Sequence, residues 1–309
     1  MKLPLPVVDE LRVAPGAAAN LAQRSTETTR HNWLQETGRS DPSELADADL
    51  ERFRDELAVA QQALYASDTW ALLIVLQALD AAGKDGTIAH VMSGLNPQGC
   101  EVHAFKQPSS EELRHDFLWR VNRFLPERGH IGIFNRSHYE EVLVVRVHNQ
   151  LLDAEHIPPG GASGARLWRE RYEDINAFER HLFRSGTRVV KFFLHVSKEE
   201  QRKRLLARLD DAEKRWKFDP QDLVERTHFA EYRRCYEEAI TATSTAWAPW
   251  YVVPADHKHA LRALVGGIVV NEIQRLHPRR PVVNAAARRV LEQARQTLEH
   301  EASGPRKRR

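Results

Sequence analysis

Residues 71–87 read Ala-Leu-Leu-Ile-Val-Leu-Gln-Ala-Leu-Asp-Ala-Ala-Gly-Lys-Asp-Gly-Thr, an apolar run followed by a small-residue turn that ends in Gly83-Lys84. A buried strand, a tight turn and a helix start are the parts of a phosphate-binding loop, because the amides of the turn and the helix N-terminus favour an anion. Lys84 would then bring a mobile positive charge to the terminal phosphates. The stretch predicts a phosphate site on an α/β fold.

The loop departs from the usual phosphate-loop pattern at two positions. Ala78 stands where the first Gly is expected, and its methyl group would crowd a turn that required a positive φ. Asp85 stands in place of the Ser or Thr whose hydroxyl touches the metal, so we expect Asp80 or Asp85 to hold the metal, directly or through water. The alternative interpretation is a purely structural strand–turn–helix corner in which Gly83 serves packing.

The composition indicates a soluble globular protein. The chain has 309 residues, 42% hydrophobic and 28% charged, so it can bury a large core. A net charge of +2 gives no global field that attracts nucleic acid, and no nucleic-acid partner is expected. The two cysteines suit a reducing compartment. Neither a secretory signal nor an apolar stretch of membrane length is visible, so we expect a cytoplasmic protein that does not bind membranes.

Apolar runs of strand length alternate with amphipathic segments along the chain. This alternation predicts βαβ units with a parallel sheet covered by helices on both faces. The predicted strands are 71–76, 101–105, 130–134, 188–196 and 250–253, and the predicted helices are 42–66, 110–125, 172–184, 199–209, 222–242 and 259–276.

Three parts of the chain are expected. Residues 1–45 are predicted to form an extended N-terminal arm that lies on the domain or on a neighbouring subunit, and residues 46–276 a phosphotransferase domain. Residues 277–309 are predicted to form an amphipathic helix with a basic tail, because apolar side chains recur at helical spacing before a run of Arg and Lys.

Three polar residues are expected at the carboxyl edge of the sheet, where ligands bind in such folds. Asp80 lies inside the turn and could hold metal or orient the acceptor, although Asp also caps turns structurally. Asn135 follows the 130–134 strand, where related folds carry a metal-binding Asp, so the metal geometry or the choice of acceptor should differ. Arg136 can contact phosphate bidentately, or form a surface ion pair.

A basic segment, 201–217, has the position and charge of a lid that closes over phosphates, within about 199–230. Arg208, at the helix end, and Lys217, in the following loop, are the favoured phosphate contacts. The triplet 202–204 is expected to point outward. The alternative is a solvated helix with internal ion pairs.

The joint order of several motifs over residues 45–276 closely resembles the polyphosphate kinase 2 family. The matching stretches include Asp80-Ala-Ala-Gly-Lys-Asp-Gly-Thr87, His90-Val-Met-Ser-Gly-Leu-Asn-Pro-Gln-Gly99, His115-Asp-Phe-Leu-Trp-Arg120, Phe134-Asn-Arg-Ser-His-Tyr-Glu140, Val144-Val-Arg-Val-His148, Arg215-Trp-Lys-Phe218 and Trp247-Ala-Pro-Trp250. The resemblance implies a P-loop kinase-like, three-layer α/β/α fold with a parallel sheet and a helical lid. It also implies reversible, Mg²⁺-dependent (or Mn²⁺-dependent) transfer of a phosphoryl group between inorganic polyphosphate and a nucleotide.

The same resemblance implies roles for individual residues. Asn rather than Asp at position 135 is similar to the subgroup that phosphorylates both AMP and ADP. Asp80 would orient the transfer and hold metal, with Asp85 as the second candidate in the metal site, and Glu140 would lie on the nucleotide side. The implied phosphate and polyphosphate contacts are Gly83, Lys84, Lys106, Arg120, Arg136, Arg208 and Lys217. Members of the family tend to be dimers or tetramers, so a homodimer or homotetramer is expected.

Two other functions remain open from the sequence. One is an ATP-dependent nucleoside monophosphate kinase, which would share the fold and the Lys84 loop. The other is a non-catalytic protein that binds nucleotide or polyphosphate, disabled at Ala78.

Overall fold

The computed structural model describes residue 3 and residues 5–27, 42–155, 157–158 and 161–302. Six strands form one sheet: β1 (Arg12–Val13), β2 (Ala71–Ala78), β3 (Cys100–Ala104), β4 (Ile131–Asn135), β5 (Thr187–His195) and β6 (Trp250–Pro254). The helices are α1 (Leu5–Leu11), α2 (Pro42–Ser67), α3 (Lys84–Val91), α4 (Trp119–Asn122), α5 (Val144–Val147), α6 (Gly164–Arg184), α7 (Lys198–Asp210), α8 (Gln221–Thr227), α9 (Phe229–Thr243), α10 (Lys258–Arg275) and α11 (Ala285–Ala302).

The strand order of the sheet is β1-β6-β5-β2-β4-β3, and every pair except β1–β6 is parallel. All eight residues of β2 are buried, because this central strand has neighbours on both edges and helices on both faces. Leu76 on β2 pairs with Asn135 on β4. The register therefore brings the turn after β2 and the turn after β4 to one edge of the sheet.

Helices cover both faces of the sheet. On one face α2 packs along α10, and α3 packs against α10. On the other face α6 packs against β5, and α9 contacts α5 and α6. A buried ion pair joins this helical layer to the sheet: Lys191 Nζ on β5 lies 2.5 Å from Glu179 Oε2 on α6. The predicted α/β kinase-like fold with a parallel sheet between helices is confirmed.

Two helix predictions need correction. Residues 110–125 contain a single turn, Glu112–Arg114, and the short helix α4. The continuous helix does not form because the Asp116 carboxylate accepts the amide of Leu118 at 3.0 Å, a local turn that competes with helical hydrogen bonding. The predicted helix 222–242 is divided at His228 into α8 and α9.

The N-terminal segment differs from the extended arm predicted for residues 1–45. Residues 5–11 form α1, and β1 pairs with β6 in antiparallel fashion. Val7, Val8 and Leu11 are buried in the core. Residues 28–41 of the predicted arm lie outside the described residues.

The predicted C-terminal amphipathic helix is present as α11, whereas the basic residues 303–309 lie outside the described part of the chain. The predicted lid region holds α7, the turn Arg215–Lys217 and α8. Among the residues that the structure describes, none of the helices combines the length and apolar character needed to cross a membrane.

Candidate active site

The loop between β2 and α3 has the shape that the sequence predicts, with one difference. Ala81 has a φ of +59° and Gly83 a φ of +108°. Ala78 instead ends β2 as a buried strand residue, so its methyl group meets no left-handed backbone. The condition under which Ala78 would crowd the turn is therefore not met, because the left-handed positions lie three and five residues further on.

Lys84 folds back over this loop. Its Nζ donates to the carbonyl oxygen of Ala78 at 2.9 Å. Burial lowers the pKa of the Lys84 amino group below its ordinary value, and the negative charge of Asp80 partly opposes this effect. The amino group thus has one neutral hydrogen-bond partner, the Ala78 carbonyl, that an anion can replace.

Arg136 lies between two carboxylates at the carboxyl edge of the sheet. Its guanidinium is 3.4 Å from Asp80 Oδ1 and 3.7 Å from Glu140 Oε2. The nearby Glu140 carboxylate raises the pKa of Arg136, which keeps the guanidinium charged. Burial raises the pKa of Glu140, and the positive charge of Arg136 acts against this increase. The three side chains place two carboxylates within 3.7 Å of one guanidinium at this edge of the sheet.

Asn135 and Asp85 face each other across the same edge. The Asn135 amide donates to Asp85 Oδ1 at 2.7 Å, which orients the carboxylate without adding a charge. In the described part of the chain no group of three or more His, Cys, Asp or Glu side chains could hold a metal ion. A metal at Asp80 or Asp85 fits this arrangement if water and phosphate oxygens complete the shell, as is usual for Mg²⁺.

A cleft of about 620 Å³ opens beside these residues. Asp80, Arg136 and Glu140 line it together with Lys106 and Arg120. Arg120 is largely buried, and its guanidinium donates to the carbonyl oxygen of Lys106 at 2.8 Å. Three of the predicted polyphosphate contacts, Lys106, Arg120 and Arg136, thus share a cleft with the residue expected on the nucleotide side.

Two further groups on the cleft wall were not predicted from the sequence. In one, Arg171 on α6 pairs with Glu155 and lies 3.5 Å from Glu141. In the other, His148 Nε2 lies 2.8 Å from Glu225 Oε2 on α8. Each group joins residues that are far apart in the chain, and no local motif signals such a contact.

The lid residues divide between the surface and the interior. Arg208 at the end of α7 is bound to Asp222 Oδ2 at 3.1 Å, and Lys217 belongs to the turn Arg215–Lys217, its side chain lying outside the described part. Arg202 is exposed, but Arg204 is only 7% exposed and contacts the phosphate loop. The prediction that all of 202–204 points outward is wrong at Arg204.

The fold is that of an α/β P-loop kinase-like protein. The family model described as "Polyphosphate kinase 2 (PPK2)" matches residues 41–281. The chain belongs to the polyphosphate kinase 2 family.

Named relatives are similar over most of their length. The chain is 51% identical to an "ADP-polyphosphate phosphotransferase" of Rhodopseudomonas palustris, over 82% of this chain and 87% of that protein. It is 46% identical to an "AMP/ADP-polyphosphate phosphotransferase" of Meiothermus ruber, over 75% and 82%. The crystal structure of polyphosphate kinase 2 from Arthrobacter aurescens TC1 superposes with a TM-score of 0.82 at 37% identity, covering 95% of this chain and 98% of that one.

Proposed function

We propose that this protein transfers phosphoryl groups reversibly between inorganic polyphosphate and a nucleotide, with AMP and ADP as acceptors. The observation that carries the proposal is the convergence of Lys84, Asp80 and Arg136 beside the cleft, within a polyphosphate kinase 2 chain. The names of the Rhodopseudomonas and Meiothermus relatives support ADP, and the second also AMP, as acceptors.

The residues act by positioning and by electrostatic stabilisation. Lys84 exchanges the Ala78 carbonyl for a phosphate oxygen, and the loop around Gly83 cradles the same group. Arg136, held between Asp80 and Glu140, offsets negative charge on the transferred phosphoryl group.

Asp80 orients the attacking nucleotide phosphate, and Glu140 keeps Arg136 aligned on the nucleotide side. Since attack by a phosphate oxygen needs no proton abstraction at neutral pH, no side chain has to act as a strong base.

A divalent metal, Mg²⁺ or Mn²⁺, held by Asp80 and Asp85 with water and phosphate oxygens, would neutralise charge on the phosphates. The neutral amide of Asn135 orients Asp85 where a second carboxylate would add a charge. We infer that this smaller negative charge supports acceptance of AMP as well as ADP.

The longer phosphate chain has basic candidates on both sides of the loop. We propose Lys106 and Arg120 on the cleft wall, and Arg208 and Lys217 in the lid at 199–230, as its contacts. Residues 46–276 would form the catalytic domain that carries them.

We further propose a cytoplasmic homodimer or homotetramer that binds neither nucleic acid nor membrane. The free cysteines Cys100 and Cys235 suit a reducing compartment. The apolar residues Val290, Leu291 and Leu298 of α11 are about 60% exposed, and no described residue of the chain covers them.

The test is a nucleotide assay in which the donor is varied. Long-chain polyphosphate with Mg²⁺ and AMP should give ADP and then ATP, and EDTA should stop the reaction until Mg²⁺ or Mn²⁺ is added back. If AMP is phosphorylated only when ATP replaces polyphosphate, the protein is a nucleoside monophosphate kinase and the proposal fails.

A further inference from the structure

Three consecutive carbonyl groups of the phosphate loop point at helix α7. The Gln201 side-chain amide donates to the carbonyl oxygen of Asp80 at 3.0 Å. Arg204 Nη1 donates to the carbonyl oxygens of Ala81 and Ala82, at 3.2 Å and 2.8 Å. The outer face of the loop is therefore held by one helix through side chains three residues apart, which lie on the same helical face.

These hydrogen bonds from α7 determine the direction of the backbone amides of the phosphate loop. In a trans peptide the carbonyl oxygen and the next amide hydrogen lie on opposite sides. Holding the carbonyls of Asp80 and Ala82 against α7 directs the amides of Ala81 and Gly83 away from it. The Ala82 amide is used within the turn, donating to the Leu79 carbonyl at 3.2 Å. Directed amides of this kind form an anion cradle.

Arg204 is built into the interior as a fully bonded group. A guanidinium has five N–H donors, and each has an acceptor here. Nη1 serves the two loop carbonyls, Nη2 donates to the carbonyls of Ala255 and Asp256 at 2.6 Å and 3.1 Å, and Nε donates to Glu200 at 2.8 Å. The buried charge is thereby compensated, and the loop is joined to the segment after β6.

Gln201 also connects the loop to the lid. Its side-chain oxygen accepts from Arg226 Nη1 on α8 at 2.7 Å, and the same Nη1 donates to the carbonyl of Lys198 at 2.8 Å. The amide of Gln201 thus receives a hydrogen bond from α8 and gives one to Asp80. Glu at this position could accept from Arg226 but, when ionised, could not donate to the loop.

We propose that Gln201 and Arg204 are positioning residues that impose the anion-binding shape on the phosphate loop and couple it to α8 in the lid. They act through the loop backbone. The left-handed conformation of Ala81 needs such external support, because a non-glycine residue at positive φ persists only where its surroundings hold it.

The first test is hydrogen exchange at the amides of residues 79–86 in the full-length protein without substrate. Gln201→Glu and Arg204→Lys should each raise exchange there at least tenfold. Arg202→Met is the matched control, since Arg202 is on the same helix but is exposed and pairs with Glu199. Unchanged exchange in Gln201→Glu would overturn the proposal even if Arg204→Lys does not fold.

The second test is kinetic, and it alone depends on the proposed function. Gln201→Glu should lower kcat at least tenfold and raise the KM for polyphosphate, with the KM for nucleotide within about twofold of wild type. A general structural defect would instead change both KM values and the melting temperature. Equal losses in Arg202→Met and Gln201→Glu would contradict a specific role.

Discussion

Glycine substitutions at two alanines of the phosphate loop should have opposite effects on stability. Ala81 has a φ of +59°, a left-handed conformation that costs an L-residue about 1–2 kcal/mol. Glycine removes this strain but gives up about 0.5–1 kcal/mol of backbone entropy. Ala81→Gly should therefore leave the free energy of unfolding unchanged or raise it by up to about 1.5 kcal/mol.

Ala78→Gly is the matched change three residues earlier. Ala78 is a buried residue of β2, so glycine relieves no strain there. It loses about 0.5–1 kcal/mol of backbone entropy and about 0.8 kcal/mol from one buried methyl group. The expected destabilisation is about 1–2 kcal/mol, and the two variants should differ by about 2 kcal/mol.

Urea titrations of the wild type and both variants, followed by circular dichroism, measure these differences. Thermal scans should separate the two variants by about 4–8 °C, at roughly 2–4 °C per kcal/mol for a chain of this size. A more stable Ala78→Gly variant, or a strongly destabilised Ala81→Gly variant, would refute the assignment of backbone strain within the loop.

Three further predictions concern the cleft, the loop and the lid. Burial and the neighbouring Glu155 raise the pKa of Glu141 to about 8, so its stabilising contribution is full below pH 4.5 and is lost as the pH rises through 8. Glu141→Gln should remove this pH dependence of stability. If the urea midpoint changes equally with pH between 4.5 and 8 in the wild type and in the variant, the prediction is contradicted. Gly83→Ala should lower the free energy of unfolding by about 1–2 kcal/mol, because the φ of Gly83 is +108°, although there is space for a Cβ. The same variant should bind polyphosphate more weakly, as measured by calorimetry. Arg208→Met should raise the KM for polyphosphate several-fold, whereas the same change at exposed Arg202 should not.

The sequence predicts the centre of the sheet well. A short, unbroken apolar run bounded by a turn is typical of a strand that is buried on both faces. Residues 71–87 alone therefore indicate both β2 and the turn at Gly83. The strand before Asn135 is recognisable for the same reason, and parallel pairing then brings Asn135 near the loop.

Elements that depend on a single side chain or a distant partner could not be predicted. The spacing of Phe117, Val121 and Leu125 fits a helix, but the Asp116 carboxylate interrupts it locally. β1 has only two residues and exists because β6 lies beside it, more than two hundred residues further along the chain.

The inward direction of the Arg204 side chain could not be predicted from the sequence because it also depends on distant partners. A run of basic residues on a helix is usually a solvated surface, and the acceptors that hold Arg204 are carbonyls of two other segments. Gln201 lies three positions before Arg204 on the same face of α7. This face can be recognised as the inward one only once the position of the phosphate loop is known.

The central claim is that the Lys84 loop transfers phosphoryl groups from polyphosphate. The most direct measurement is the initial rate of ADP formation from AMP, long-chain polyphosphate and Mg²⁺ without ATP, resolved by chromatography, for wild type and Lys84→Met. We expect ADP and then ATP from the wild type and a rate lower by about 100-fold or more in a folded variant. A wild type that makes no ADP from polyphosphate, or a Lys84→Met variant that is equally fast, would contradict the claim.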